Sequence, residues 1–329
     1  MVIACTVPGF FWVPQPSGTT ASMRGVHAVN PHVVWASGTN GTYLQTTDGT
    51  TWHAGAVPDA ESLDFRGVHA VDARTAYLLS AGPGDKSRIY KTNDAGAHWT
   101  LQFTNPDAKG FFDALAFWDA RHGIVLGDPV DGQFVILTTE DGGAHWTRQH
   151  APAALPNEGA FAASGTCLIV RSKREAWFGT GGLGAARVFH SKNNGRTWTV
   201  ATTPIRNDGA SAGIFSLAFA DALHGIAVGG DYNKPADNLR NLAVTSDGGQ
   251  TWVEPTGAHP NGFRSAVAFV ADRRIWIATG TSGSDISQDN GKTWTPFDST
   301  AYNAISFISS KAGWAVGPKG NLAKFRVEH

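Results

Sequence analysis

An eight-residue motif recurs along this chain and restricts its fold more than any other feature. The clearest copy, "TSDGGQTW", occupies residues 245–252. Its variants lie at 92–99, 139–146, 191–198 and 287–294, with a copy one residue shorter at 46–52. The tryptophans that end the six copies are 42 to 54 residues apart. A period in the forties built from short β segments is typical of propeller blades.

The segment 111–149 shows the strand content of one repeat. Four stretches rich in apolar and β-branched residues, bounded by Gly, Asp or Asn, have the composition of strands. They are "FFDALAFWD" (111–119), "HGIVLGD" (122–128), "QFVILTT" (133–139) and "HWTRQ" (145–149). No stretch of the chain has a sustained helical period. We therefore predict an all-β chain whose repeats are four-stranded antiparallel blades, each running from an inner to an outer strand.

The two ends of the chain together supply a seventh blade. Residues 301–329 contain three strands without an outer one, whereas "GFFWVPQP" at 9–16 is an outer-strand sequence without a blade. We predict a single-domain, seven-bladed β-propeller whose ring is closed by the N-terminal strand in the last blade, which removes exposed sheet edges. The predicted blades are 22–57, 63–104, 111–150, 160–203, 212–255, 263–297 and 301–329, with 1–16 as the outer strand of blade 7.

The recurring motif has the chemistry of a structural turn. Its Asp can accept backbone N–H bonds, its Gly can adopt a positive φ, and its Trp can bury a ring against the neighbouring sheet. Blade 4 has Asn193 in place of Asp, which a turn tolerates better than acid catalysis does. We therefore assign a structural role to the six acceptor residues, which are Asp48, Asp94, Asp141, Asn193, Asp247 and Asp289.

The motif identifies a family resemblance. S/T-x-D-x-G-x-x-W is the Asp-box, or BNR, repeat of sialidases and many other propellers. The fuller units "AGWAVGPKGNLAKF" and "HGIAVGG…NLAVTSDGGQTW" resemble the Ycf48-type photosystem II assembly factors and their bacterial relatives, often labelled oxidoreductase or glycosyl hydrolase. The resemblance covers nearly the whole chain and implies an extracytoplasmic protein, periplasmic or secreted. "VIAC" at 2–5 looks like the end of a lipoprotein signal, but no complete signal peptide precedes it.

Composition excludes several classes of partner and cofactor. With 26 basic and 27 acidic residues among 329, the chain has no general charge for nucleic acid or an anionic membrane surface. No apolar run approaches the roughly 20 residues of a membrane span. The two cysteines, Cys5 and Cys167, make neither a disulfide framework nor a metal site. "GTGGLG" at 179–184 precedes a strand and not a helix, so no dinucleotide cofactor is expected. We expect a monomer without metal or cofactor.

One inner-strand position changes from blade to blade. A structural position would repeat, but alignment of the blades gives mostly polar and different residues at this one. They are Arg24, Arg66, Asp113, Gly165, Phe215, Ser265 and Asn303 in blades 1 to 7. This variation is expected for a ligand site at the channel mouth, although a solvated channel mouth needs only polarity and fits the same pattern.

Loops that meet at the same face add further candidates. Long, blade-specific loops on a repeating scaffold often carry function. The added residues are Asp128 after a second strand, Glu158 before blade 4, Asp231 and Tyr232 after a second strand, and Arg264 before the inner strand of blade 6. We expect an acidic arc on blades 3 to 5 that faces the arginines of blades 1 and 2.

Two functions fit these residues. In the first, a glycan, peptide or protein ligand binds without chemistry, held by Arg24, Arg66, Tyr232, Arg264, Ser265 and Asn303, since arginine binds carboxylates bidentately. In the second, two carboxylates among Asp113, Asp128, Glu158 and Asp231 catalyse the cleavage of a glycan as a hydrolase or lyase. A sialidase is disfavoured, because "FRGV" (65–68) and "FRSA" (263–266) lack the Pro of its leading motif.

Overall fold

A ring of seven β-sheets forms the part of the chain that the computed structural model describes, residues 9–328. Each blade has four antiparallel strands. In blade 5 the outer strand is reduced to one bridge between Val244 and Val253. Pro255 would face the next position along that edge but has no N–H to donate, which ends the pairing. The predicted all-β, seven-bladed propeller is confirmed.

The strands follow in chain order. Blades 1 and 2 come after β1 (Phe10–Pro14) and contain β2 (Met23–Ala28), β3 (Val34–Gly38), β4 (Thr42–Thr46), β5 (His53–Ala56), β6 (Phe65–Ala70), β7 (Ala76–Ser80), β8 (Arg88–Thr92) and β9 (Thr100–Thr104). Blade 3 contains β10 (Phe112–Phe117), β11 (Gly123–Val130), β12 (Gln133–Thr139) and β13 (Thr147–Arg148). Two short 3-10 turns lie at Gly84–Lys86 and Pro318–Gly320.

The second half of the ring includes two accessory strands, β14 (Glu158–Gly159) and β17 (Gly181–Gly182), which extend the sheet of blade 5. Blade 4 contains β15 (Leu168–Arg171), β16 (Glu175–Gly179), β18 (Arg187–Ser191) and β19 (Thr199–Thr202). Blade 5 contains β20 (Ala212–Phe219), β21 (Gly225–Asp231) and β22 (Leu242–Thr245). Blades 6 and 7 contain β23 (Ala266–Val270), β24 (Ile275–Gly280), β25 (Gly283–Ser287), β26 (Thr295–Asp298), β27 (Ala304–Ser309), β28 (Ala312–Val316) and β29 (Leu322–Val327).

The first strand closes the ring. Residues of β1 pair antiparallel with β29 over five positions, so β1 is the outer strand of blade 7. The predicted closure is confirmed for this strand, whereas residues 1–8, with Cys5, lie outside the described residues. Within 9–328, no helix has the length and apolarity needed to cross a bilayer.

The inner strand of blade 4 begins at Leu168, later than the predicted 160. Residues 160–166 instead cross the channel, as described below. The glycines of 179–184 end β16, form β17 and precede β18, which is a strand, so the helix that a dinucleotide site needs is absent there.

Each copy of the motif closes the turn between third and outer strands with its own side chains. The Thr or Ser hydroxyl donates to the Asp or Asn oxygen in all six copies at 2.8–3.0 Å. In blade 5, Asp247 also accepts the amides of Gln250 and Thr251, both at 2.9 Å. Bonds from the His98 amide and ring and from the Thr92 hydroxyl lower the pKa of Asp94 to about 2.

The motif turns also connect neighbouring blades. A glycine carbonyl of the turn accepts a hydrogen bond from a side chain of the preceding blade: Tyr43 to Gly96 at 3.0 Å, Tyr77 to Gly142 at 2.7 Å, Trp177 to Gly248 at 3.1 Å and Lys324 to Gly49 at 2.9 Å. Trp35, Trp177, Trp276 and Trp314 lie in second strands and are fully buried between blades. The motif therefore fixes both the turn and the contact with the previous blade.

We expect Asp247→Ala to lower the free energy of unfolding by about 1–2 kcal/mol, because it leaves two turn amides and two threonine hydroxyls without their acceptor. Asp247→Asn keeps an acceptor oxygen and should cost less than half as much, since Asn193 holds the Thr197 amide at 2.9 Å in blade 4. Urea denaturation measures both. Equal losses in the two variants would show that the charge, and not the acceptor, stabilises the turn.

Candidate functional site

Bulges in the inner strands direct the variable position into the channel. At this position the pairing of first and second strands shifts by one residue in four of the seven blades. The shifts leave as extra residues Arg24 in blade 1, Arg66 in blade 2, Asp113 in blade 3 and Phe215 in blade 5. A bulge redirects its side chain and is frequent beside functional sites. All four side chains line one cavity of about 540 Å³, which we call the channel cavity.

The channel cavity has a floor that spans the ring. Residues 160–166, the floor segment, run from the loop before blade 4 across the channel. On one side Arg66 donates to the Ala162 carbonyl at 3.1 Å, and on the other Ser164 donates to the Ser265 carbonyl at 2.8 Å. Gly165, the blade 4 residue of the variable position, lies in this segment. The floor segment therefore contacts blades 2 and 6 and gives the cavity a base.

Two arginines form the basic side of the cavity. Arg66 is held by Asp64, whose carboxylate accepts its Nε at 2.7 Å. The guanidinium of Arg24 donates no hydrogen bond to any residue of 9–328, and its buried Nε has no partner there. Burial, followed by the charge of Arg66, lowers the pKa of Arg24, but an arginine stays charged at physiological pH. Arg24 therefore presents an unused guanidinium to the cavity.

Two carboxyl groups of blade 3 form the acidic side. Asp113 is 1% exposed, and neither of its oxygens has a hydrogen-bond partner among the described residues. Burial and the nearby Asp128 raise the pKa of Asp113 well above its usual range, against the opposing effect of Arg66. Burial raises the pKa of Asp128 to about 6, although Asp128 accepts the Ala160 amide at 2.9 Å. Asp113 therefore holds its proton to a higher pH than an ordinary aspartate does, whereas Asp128, with a pKa of about 6, is mostly ionised at neutral pH.

Aromatic side chains of the floor segment and of blades 3, 5 and 6 also line the cavity. Phe161 of the floor segment stacks on Phe215 with centroids 3.9 Å apart, and Phe263 meets Phe215 edge-on at 4.7 Å. We call the set the aromatic wall; its members are Phe111, Phe161, Phe215, Tyr232 and Phe263. Tyr232 was among the site residues predicted from the sequence, whereas Phe111, Phe161 and Phe263 were not. Each follows a glycine within two residues just before a blade, a pattern that could have identified them.

The polar side chains that blades 6 and 7 contribute to the cavity are hydrogen-bonded to backbone carbonyls and are largely buried. Ser265 donates to the Asn303 carbonyl at 2.8 Å, and Asn303 donates to the Met23 carbonyl at 2.8 Å. Both line the cavity but are more than nine-tenths buried. Their main effect is to join blades 6, 7 and 1 at the channel.

Three predicted site residues lie outside the channel cavity. Glu158 is ion-paired with Arg187 and accepts the Thr180 hydroxyl at 2.6 Å. Asp231 accepts the Asn233 amide at 3.0 Å within its own loop. Arg264 is 1% exposed, and its donors are taken by Asp285 and by neighbouring oxygens. The expected acidic arc on blades 3 to 5 is therefore reduced to Asp113 and Asp128, beside the arginines and not facing them.

A groove continues from the channel cavity over blade 4. It measures about 620 Å³ and shares Asp128, Ala160 and Phe161 with the cavity. Glu158 lies on this groove together with Leu155, which is 44% exposed. Across residues 9–328, no group of three or more His, Cys, Asp or Glu side chains is placed to hold a metal ion. The site as a whole is an elongated depression with charged and aromatic sides.

Comparison with known proteins supports the fold. The family model of the BNR/Asp-box repeat matches residues 285–296, the motif of blade 6. Solved structures with similar folds include YCF48 bound to D1 peptide (18% identity, 100% of both chains, TM-score 0.64) and YCF48 from Cyanidioschyzon merolae (19% identity, 97% of this chain and 99% of that one, TM-score 0.64). The WD40 β-propeller domain of Doa1 is also similar (13% identity, 97% of both chains, TM-score 0.64). A search of curated proteins finds no match.

Proposed function

We propose that this protein, an Asp-box-repeat β-propeller whose fold is similar to that of YCF48, is an extracytoplasmic binding or assembly factor. It acts as a monomer and holds a peptide segment of a partner protein in the channel cavity. The observation that carries this proposal is the unused guanidinium of Arg24, which lines the same cavity as the aromatic wall. A guanidinium without an internal partner is suited to a carboxylate of the ligand.

The shape of the depression favours a peptide over a small molecule. The channel cavity and the groove over blade 4 share a boundary at Asp128 and Phe161, so a ligand can extend from one into the other. Aromatic anchors beside arginine are the residue types that dominate protein-binding sites. One solved structure of this fold is described as YCF48 bound to D1 peptide, and a peptide ligand is proposed here by analogy.

Selection from a random octapeptide library on the immobilised protein tests this function. We expect the enriched peptides to carry a carboxylate and an apolar or aromatic residue, and Arg24→Ala to weaken their binding by about 10- to 100-fold. This is the effect of about 1.5–3 kcal/mol for a hydrogen bond to a charged group. Fluorescence anisotropy with a labelled selected peptide measures it.

Arg273→Ala is the matched control, since Arg273 is exposed and lies in the turn between β23 and β24, away from the cavity. Its affinity for the peptide should equal that of the wild type. No enrichment above background, or equal affinity of the Arg24→Ala variant, would contradict the proposal.

A second candidate function is cleavage of a glycan, and one observation favours it. Asp113 and Asp128 are neighbouring carboxyl groups of one concave site, and burial raises the pKa of both, which is the direction that the general acid of a glycosidase requires. Product release from a panel of polysaccharides and glycosides, lost in Asp128→Asn with folding intact, would favour this function over binding alone.

A further inference from the structure

The carboxyl of Asp113 makes no hydrogen bond to the described residues, although the backbone amides of Ala162 and Asp128 lie close enough to oppose the rise of its pKa. Its side chain is almost completely buried, it lines the channel cavity, and both of its oxygens lack a partner among residues 9–328. Buried polar atoms in proteins nearly always have a hydrogen-bond partner, and an exception needs an explanation. Because Asp113 sits on an inner-strand bulge that points into the cavity, the missing partner is expected from the cavity side.

The charged groups around Asp113 do not supply that partner. Arg66, on the adjacent inner strand, is bonded to Asp64 and to the Ala162 carbonyl. Asp128, on the next strand of the same blade, has the same sign of charge. Cys167, behind the floor segment, is buried, and burial raises the pKa of its thiol further above its usual range. Neither Arg66 nor the Cys167 thiol donates a hydrogen bond to Asp113, and the nearby Asp128 amide donates to the Phe111 carbonyl instead.

Two aromatic residues that line the cavity, Phe111 and Phe161, adjoin the two carboxyls. Asp128 accepts the amide of Ala160, and the following residue is Phe161 of the aromatic wall. The Asp128 amide in turn donates to the Phe111 carbonyl at 2.8 Å. Aromatic faces attract cations, and a carboxylate beside them adds to that attraction. The cation–π pairs found within 9–328 involve Tyr77, Phe189 and Trp314, so no protein cation occupies the faces in the cavity.

We propose that Asp113 and Asp128, with the flanking rings of Phe111 and Phe161, form a subsite for a basic side chain of the bound peptide, the guanidinium of arginine or the ammonium of lysine. This inference rests on the proposed function and refines it. The ligand then carries an anionic group for Arg24 and a cationic group for blade 3, so the subsite also fixes the direction in which the peptide lies.

Binding of the cation releases protons to the buffer. The free site is partly protonated, and the bound cation favours the ionised carboxyls, so affinity rises with pH. Arg24 and Arg66 keep their charge across this range. For a carboxyl with a pKa of about 6, the ionised fraction, and with it the affinity, increases about tenfold between about pH 5 and pH 7.

The test uses n-butylguanidinium chloride as probe and n-butylurea as its neutral isostere, titrated by NMR against the full chain. We expect the guanidinium to bind at least about tenfold more tightly than the urea at neutral pH, with the tenfold pH dependence above. Asp128→Asn should remove both the preference and the pH dependence, and Asp113→Asn should weaken guanidinium binding to a similar extent. Because Asp128 is only half-buried, its variant remains informative if Asp113→Asn does not fold.

Asp131→Asn is the matched control, because Asp131 is exposed, lies three residues after Asp128 and does not line the cavity. Absent guanidinium binding, equal binding of the two probes, pH-independent binding, or an equal loss in Asp131→Asn would overturn the subsite. If selected octapeptides bind through Arg24 but contain no enriched Lys or Arg, the subsite fails and the proposed function stands. If the probe binds but no peptide does, the proposed function fails.

Discussion

Trp12→Ala is expected to lower the free energy of unfolding by about 3–5 kcal/mol, the usual cost of truncating a buried aromatic residue. Trp12 is 5% exposed and lies in β1 opposite Phe325. Its ring contacts Phe325 at 5.3 Å and Tyr302 at 5.7 Å between centroids, and its indole donates to Ser284 of blade 6 at 3.1 Å. One side chain thus fastens the closing strand to two blades, and guanidinium denaturation followed by tryptophan fluorescence and circular dichroism measures the loss.

Phe11→Ala provides the control on the same strand. Phe11 is the neighbouring aromatic residue of β1, but its side chain is 36% exposed and packs on the outer surface. Its loss should be well below half that of Trp12→Ala. Deletion of residues 1–16, which removes β1 altogether, should lower thermal stability still further. Unchanged stability of either the deletion or Trp12→Ala would contradict the closure of the ring by this strand.

Asp285→Leu is expected to destabilise the fold by about 3–5 kcal/mol, because it leaves the guanidinium of Arg264 buried without a counter-charge. Arg264 is 1% exposed and Asp285 is fully buried, and Arg264 Nε donates to Asp285 at 2.6 Å. Burial raises the pKa of Asp285 and lowers that of Arg264, while the partner opposes each shift. Denaturation at neutral pH measures the loss.

The double variant Arg264→Met/Asp285→Leu distinguishes the effect of the unpaired charge from the effect of the altered packing. It removes both charges, so it should be more stable than Asp285→Leu alone, although three neighbouring oxygens lose their donor. An exposed pair serves as the comparison: Arg196 and Glu140 lie 3.0 Å apart but are more than half exposed, so Glu140→Ala should cost less than about 1 kcal/mol. A double variant no better than the single one would show that the uncompensated charge is not the cause.

The fold could be predicted from the sequence because its determinants are local and repeated. The turn motif makes its hydrogen bonds within eight residues, as those of Asp247 show. Its six copies predict six blades, and the seventh is formed by the two ends of the chain. The closing strand was predictable because residues 301–329 supply only three strands of a blade, whereas residues 9–16, which contain Trp12, have the sequence of the missing outer strand. The departure in blade 4 was not predictable, because residues 160–166 resemble an inner strand in composition but are held across the channel by Arg66 and Ser265.

The candidate site could be predicted only in part, because burial and pairing depend on contacts between distant segments. Alignment of inner strands located Arg24 and Asp113, whose side chains the bulges direct into the cavity. The same reasoning selected Glu158 and Arg264, whose partners Arg187 and Asp285 lie 29 and 21 residues away in sequence and neutralise them. Nothing in the local sequence distinguishes a carboxylate that has such a partner from one that does not.

The floor segment changes how the blades depend on one another. In a simple ring of repeats, each unit contacts only its two neighbours, and energetic coupling passes around the circumference. Through hydrogen bonds at residues 162 and 164, the floor segment connects blade 2 directly with blade 6, and these two blades are not neighbours in the ring. A ligand that displaces the floor segment would change the contacts of blades 2, 4 and 6 at once. Binding in the channel cavity can therefore alter the stability of a distant blade without acting through the sheets between.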